Sequence, residues 1–165
     1  MDISGINLPN AERQKDGLLG HSFPVPHENP QTSSETVMMT HTEGKDGVFV
    51  HASDIQLLNT QAVDLISAWR PNIVLAAGHP RYLASLTVRQ RYLTWENGLR
   101  LAREVDTLIL DHHLLRDESG LCWLKQPASA SGRRLRCAAD FMDRLRCLLE
   151  PRRVQLYKEM PISEG

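Results

Sequence analysis

The chain has 165 residues, with 19 basic and 20 acidic side chains and a formal net charge of −1. A chain of this length can bury a core as one domain, and its balanced charge argues against nucleic acid or an anionic membrane as the main partner. The polar N-terminus has no signal-peptide pattern, no apolar run approaches the roughly 20 residues of a membrane span, and the three cysteines form no CxxC pair. We therefore expect a cytoplasmic protein without a disulfide framework or a cysteine zinc site.

The first half of the chain contains the signals of a hairpin followed by a helix. Residues 1–20 and 28–34 are polar and rich in turn formers, which predicts loop or poorly ordered chain. Two apolar runs, 35–41 and 46–52, flank the Gly-containing stretch TEGKDG and predict a β-hairpin. Helical spacing then predicts a helix over about 59–69, with Asn59 or Thr60 as its N-cap.

The second half alternates strands and helices. The apolar run 72–78 predicts a buried strand, residues 86–104 a long helix, and the stretch DTLILD a second buried strand. We expect a short flexible connector over 125–132 and helices near 134–149 and 152–159. This order predicts an α/β fold in which helices cover one face of a sheet.

Histidines and a carboxylate follow the predicted strands. All seven histidines precede residue 114, and His112 and His113 come directly after the strand that ends in Asp111. Adjacent side chains of a strand point to opposite faces, so only one of these two should bind a given metal unless the backbone turns between them. Asp111 is a candidate to orient the imidazoles.

Two further ligand candidates come from earlier strand ends. Asp54 lies just past the strand that ends near His51, where a turn or cap role is the alternative. His27 is held in an extended segment by two prolines, although an exposed loop histidine would look the same. His79 is the weakest candidate. Imidazole and carboxylate ligands together suit zinc, iron or manganese, and such an ion could activate water for hydrolysis.

Several stretches in one order resemble a known family. They are VPHE, VFVHASDIQ, RPNIVLAAGHPRYL, LILDHHLLRD and LLEPRRVQLYKEMP. Together they look like the C-terminal half of an uncharacterised archaeal family of metallo-hydrolases with the metallo-β-lactamase fold. The resemblance covers about residues 22–160, so residues 1–20 form a poorly ordered segment, 21–160 a partial domain and 161–165 a tail.

The resemblance implies an αββα sandwich whose metals lie between the edges of two sheets. It implies His27, Asp54 and His112 as metal ligands, with Asp54 in the place of a carboxylate that bridges two ions. His51, Asp111 and His113 would then support the ligands or line the pocket. It implies a divalent ion, zinc first and manganese or iron as alternatives. No catalytic residue is assigned.

One departure from the family pattern shapes the functional expectation. The HxHxDH motif that opens this fold, with most ligands of the first metal, does not occur in these 165 residues. We expect a truncated or split metal-dependent hydrolase of unknown small-molecule or phosphoester substrate, completed by a separate chain with the N-terminal half or by self-association. The alternatives are a non-catalytic remnant or interaction module and a DHH-type manganese phosphoesterase. The last is disfavoured because no Asp-x-Asp motif precedes the Asp-His-His triplet.

Overall fold

A computed structural model describes residues 11–15, 18–27 and 36–161 of the chain. The predictions for residues 1–10 and 28–34 and for all but the first residue of the tail lie outside these ranges.

The described chain contains one seven-stranded sheet whose spatial order follows the sequence. The first three pairings are antiparallel and the last three are parallel. The strands are β1 (Ala11–Lys15), β2 (Leu18–Pro26), β3 (Thr36–Gly44), β4 (Gly47–His51), β5 (Ile73–Ala76), β6 (Thr107–Leu110) and β7 (Arg134–Arg136).

Three helices connect the parallel strands and two more follow β7, which confirms the expected α/β class. They are α1 (Thr60–Ala68), α2 (Val88–Glu104), α3 (Ser119–Ser131), α4 (Ala138–Phe141) and α5 (Arg153–Glu159), with 3-10 turns at Leu114–Arg116 and Glu150–Arg152. Helix α2 contacts both α1 and α3, so these three connecting helices form one layer. None of the helices in the described ranges has the length and apolar character needed to cross a membrane.

The predicted hairpin and the first two helices are confirmed. Strands β3 and β4 pair from Gly44–Gly47 to Thr40–His51, and Gly47 has a φ of +125° that favours glycine. Helix α1 begins as predicted, because the Asn59 side chain accepts a hydrogen bond of 3.0 Å from the Ala62 N–H. Helix α2 begins with a capping box formed by Thr87 and Gln90.

The core lies between the helix layer and one face of the sheet. Val50, Val74 and Leu108 are neighbours in register on β4, β5 and β6, and all three are fully buried. Because strand side chains alternate, Phe49 and Ile73 occupy the opposite face. Phe49 is 37% exposed, so this second face is only partly covered.

The sequence-based expectation of loop over the first twenty residues differs from the structure. Strand β1 lies within that segment and β2 begins there, and the two pair antiparallel. Polar composition misled the prediction, because a strand at the edge of a sheet does not need an apolar face to form its backbone hydrogen bonds.

Two predictions for the C-terminal third are wrong. Helix α3 occupies most of the expected connector, since Gly120, Trp123, Leu124 and Pro127 lie one and two turns apart and are all buried. The expected helix near 134–149 is instead strand β7, the four residues of α4 and irregular chain. Leu145 in that irregular chain is 96% exposed, so this segment has no buried apolar stripe to stabilise a longer helix. The last helix, predicted over 152–159, is confirmed as α5.

Candidate metal centre

The carboxyl ends of three strands carry the candidate ligands at one edge of the sheet. Strands β2 and β4 are both antiparallel to β3, and β4, β5 and β6 are mutually parallel, so β2, β4 and β6 run in one direction. His27 follows β2, Asp54 follows β4, and His112 and His113 follow β6. The topology therefore places all four side chains at the same edge. The sequence predicts only that each lies near the end of a strand.

Three imidazoles surround the Asp54 carboxylate. Nε2 of His27 lies 2.9 Å from Oδ2, whereas Nε2 of His112 and Nε2 of His113 lie 2.7 and 2.5 Å from Oδ1. One ligand atom each from His27, Asp54 and His113 fall within 4.8 Å of one another. The structure thus brings together two of the three predicted ligands with His113, and it also places His112 against the same carboxylate.

A change in backbone direction lets both neighbouring histidines reach Asp54. The N–H groups of His113 and Leu114 both donate to the Ala77 carbonyl, each at 3.1 Å, and His113 has helical dihedrals of −78° and −40°. The strand alternation that would separate the two imidazoles has therefore already ended at His113. Such a turn is the condition under which His112 and His113, although adjacent in sequence, can both approach one metal ion.

The two neighbouring histidines differ in their surroundings. The His113 side chain is 8% exposed and the His112 side chain is 55% exposed. On its other ring nitrogen, Nδ1, His113 is hydrogen-bonded to the Tyr82 hydroxyl at 2.5 Å. His113 is thus fixed at both ring nitrogens, whereas His112 lies at the surface.

The electrostatics at this edge favour an ionised carboxylate and a neutral imidazole. Partial burial alone would raise the pKa of Asp54, but hydrogen bonds to His112 and His113 and the charges of the nearby imidazoles together lower it. Burial lowers the pKa of His113, and the positive charges of His112 and Arg116 act in the same direction against the attraction of Asp54. Ionised carboxylate and neutral imidazole are the forms that bind metal ions.

The donor set fits a divalent cation. Two imidazole nitrogens and a carboxylate oxygen match zinc, iron or manganese, and three protein ligands with a remaining open position are typical of catalytic zinc sites. Gln56 adds a second indication, because its buried Oε1 has no hydrogen-bond partner within the described ranges. Buried polar atoms are rarely left unpartnered in folded proteins.

The remaining predicted residues occupy other positions. Asp111 accepts a hydrogen bond of 2.7 Å from the Ala138 N–H, which ties the end of β6 to the start of α4. His51 is exposed at the end of β4. His79 is buried beside Trp123, with ring centroids 6.0 Å apart, and Arg81 donates to the Ser119 hydroxyl at 2.8 Å.

Sequence reasoning missed two residues that contact the candidate ligands. Gln56 lies within 3.2 Å of His27 and Tyr82 within 2.5 Å of His113. Both belong to stretches already noted for their neighbours, VFVHASDIQ and AAGHPRYL. The available signal for Gln56 was that a polar residue interrupts an apolar run. No sequence signal marked Tyr82.

The fold and this edge define an α/β protein with a His/Asp cluster that could hold a metal ion. The relatives of the chain are archaeal proteins. No family model matches the chain. The chain is 41% identical over 181 aligned residues to a UPF0282 protein of Methanosarcina mazei, an alignment that covers 99% of this chain and 59% of that protein. A UPF0282 protein of Pyrococcus furiosus is 32% identical over 87% of this chain and 45% of its own length.

The homologues of the chain are thus UPF0282 proteins, an uncharacterised archaeal family, as the resemblance led us to expect at this coarser level. A Pyrococcus abyssi member is 35% identical over 62% of this chain. The chain spans 59% of the length of its relative from Methanosarcina mazei and 33% of the relative from Pyrococcus abyssi.

Proposed function

We propose that this chain contributes a divalent-metal site to a hydrolase of the metallo-β-lactamase type. The observation that carries the proposal is the convergence of His27, Asp54 and His113 from three separate strand ends to within 4.8 Å. The three residues are 27 to 86 positions apart in sequence, and they meet because the sheet brings the ends of their strands together. A chance cluster of surface side chains would not need this topology. A bound ion would supply Lewis-acid activation of water and of the substrate.

The residues around the cluster have separate roles in this proposal. His113 is held between Asp54 and Tyr82, so its Nε2 is oriented before any ligand binds. His112, which is exposed, lines a cavity of about 460 Å³ together with Arg116 and Leu115. This cavity is where we place the substrate, because its lining residue His112 contacts Asp54 of the cluster.

We also propose that a second polypeptide completes the site. The Methanosarcina relative extends beyond the region shared with this chain, and the sequence of this chain contains no HxHxDH motif. A second sheet carrying that motif, supplied by a separate chain, would complete an αββα sandwich and a dinuclear centre. The chain alone would then bind metal weakly, because three ligands are too few for two ions.

A non-catalytic interaction module is the second candidate function. The partly covered sheet face favours it, because Met38 and Phe49 are 38% and 37% exposed there. Apolar surface of this kind is typical of contact with another protein. In that case self-association or binding to a partner would be the function, and the histidines would not need an ion.

Metal titration tests the site. The chelator-treated chain should bind Zn²⁺ or Mn²⁺ in calorimetry, and Asp54→Ala should lower the affinity at least about tenfold. Asp64→Ala is the matched control, since Asp64 is exposed on α1 and pairs with Arg100. Two ions per chain, bound equally by the Asp54→Ala variant, would contradict the assignment.

Hydrolysis assays separate the two functions. Nitrophenyl acetate and bis(nitrophenyl) phosphate are offered to the metal-loaded chain, alone and mixed with the additional residues of the Methanosarcina relative as a separate polypeptide. Chelator-sensitive hydrolysis in the mixture supports a hydrolase completed by a second chain. Complex formation without hydrolysis supports the interaction module.

A further inference from the structure

Gln56 is a polar residue in a fully buried apolar segment next to the candidate metal centre. Its neighbours Ile55 and Leu57 are completely buried, and Gln56 itself is 2% exposed. Burying an amide without hydrogen bonds is costly, so a glutamine at such a position needs a partner. Within the described ranges its Oε1 has none, and its Nε2 contacts only the ring of His27.

The contacts at His27 cannot all be hydrogen bonds at once. Nε2 of His27 lies 2.9 Å from the Asp54 carboxylate and 3.2 Å from the Gln56 amide nitrogen. The carboxylate requires a proton on this ring nitrogen, whereas the amide N–H requires a lone pair there. A single neutral nitrogen cannot meet both requirements, so the two contacts are not both hydrogen bonds with the amide in this orientation.

A cation between these groups resolves the conflict. With a cation present, the ring nitrogen and the carboxylate both direct lone pairs at the ion, and the amide must present its oxygen. Donor atoms about 2.0–2.1 Å from a metal are roughly 2.8–3.0 Å apart in an octahedral arrangement and roughly 3.3–3.4 Å apart in a tetrahedral one. The separations of 2.9 and 3.2 Å around His27 Nε2 are close to those of neighbouring ligands on one ion.

We propose that Gln56 Oε1 is a fourth protein ligand of the ion held by His27, Asp54 and His113. This inference rests on the proposed metal site and deepens it. A half-turn of the amide exchanges Nε2 and Oε1, atoms of nearly equal size, and needs no backbone movement. Oε1, which has no hydrogen-bond partner in the orientation described above, then faces the ion. A carboxamide oxygen is a hard, neutral donor, so it favours Mn²⁺ over softer ions relative to a site of imidazoles alone.

Cobalt titration tests the ligand directly, because the visible absorption of Co²⁺ reports the number and type of its ligands. The chelator-treated chain is titrated with Co²⁺ as wild type and as Gln56→Met, Gln56→Glu and Gln61→Met. Gln61 is exposed on α1 and provides the matched control. We expect Gln56→Met to bind Co²⁺ at least about tenfold more weakly, with a changed absorption spectrum. Gln56→Glu, which keeps an oxygen donor, should bind at least as tightly as wild type.

The outcomes distinguish this inference from the metal site itself. If wild type binds Co²⁺ and Gln56→Met binds it with the same affinity and spectrum, Gln56 is not a ligand. Weaker binding with an unchanged spectrum also overturns the inference, because the amide would then act on His27 rather than on the ion. If wild type binds no Co²⁺, the metal site fails together with the ligand. If Gln56→Met does not fold by circular dichroism, weaker binding by Gln56→Glu than by wild type overturns the inference.

Discussion

The hydroxyl of Tyr82 lies 2.5 Å from Nδ1 of His113, and the two rings stack with centroids 5.7 Å apart and an interplanar angle of 11°. The Arg116 guanidinium lies over the Tyr82 ring, with Cζ 5.0 Å from the ring centre. One of its N–H groups also donates a hydrogen bond of 3.1 Å to the Tyr82 hydroxyl oxygen. With Nδ1 engaged by Tyr82, Nε2 is the nitrogen that faces Asp54 at 2.5 Å. Tyr82 is therefore a positioning residue for the proposed ligand.

Removing this hydroxyl should weaken metal binding without unfolding the chain. Loss of a group that orients a ligating histidine typically costs about 10–100-fold in metal affinity. We expect Tyr82→Phe to show a loss of this size in Zn²⁺ calorimetry, whereas Tyr92→Phe, at an exposed position on α2, should bind like wild type. ¹⁵N NMR of the imidazoles should also show a change in the tautomer of His113. Unchanged affinity and tautomer would show that Tyr82 only packs against the ring.

The two adjacent histidines can be distinguished by substitution. The resemblance implies His112 as the ligand, whereas the cluster of close ligand atoms contains His113. Because His113 is buried and fixed at both nitrogens, we expect His113→Ala to reduce Zn²⁺ affinity more than His112→Ala. Calorimetry of both variants decides, with thermal melts to confirm that each is folded. A larger loss in His112→Ala would favour the ligand set implied by the resemblance.

Where a local sequence signal matched the tertiary packing, the fold was predictable. The Asn59 cap, the hairpin around Gly47 and the apolar runs of β5 and β6 all determine structure over a few residues. Strand β1 and helix α3 were missed because edge pairing stabilises one and packing of Trp123 against the core stabilises the other. Neither interaction leaves a strong pattern in local composition.

The candidate site was predictable to the level of the strand ends. Placing histidines and Asp54 after strands that run in one direction is enough to bring them to one edge. The choice between His112 and His113 depends on the hydrogen bonds from the turn to Ala77, and the role of Gln56 depends on its distance to His27. Both are contacts between residues far apart in sequence, so no local pattern contains them.

The buried His79 should make stability fall in mild acid. Burial first, and then the charges of Arg81 and Arg91, lower the pKa of His79 from 6.5 to about 4. The unfolded chain therefore takes up a proton near pH 6.5 that the folded chain takes up only near pH 4. The free energy of unfolding falls as the pH drops through this window. From His79 alone, it is about 2 kcal/mol lower at pH 5 than at pH 7.

Urea denaturation of the chelator-treated chain at pH 7 and pH 5 measures this effect. His79→Leu removes the titrating group, so its stability should fall less between the two pH values than that of wild type. Burial also lowers the pKa of His41 and of His113, but both are present in both chains and cancel in the comparison. Equal losses in wild type and His79→Leu would show that His79 becomes accessible to protons in the folded chain.

The partly covered sheet face should drive self-association of the isolated chain. Phe49 and Met38 lie on the face opposite the buried Val50 and Met39, and both are more than a third exposed. Phe49→Lys places a charge on this face and should shift sedimentation velocity profiles towards the monomer. Val88→Lys, a similar change at the exposed start of α2, should leave association as in wild type. A wild-type chain that stays monomeric at all concentrations, with one sharp unfolding transition, would instead show that the face is tolerated in water and that the chain folds alone.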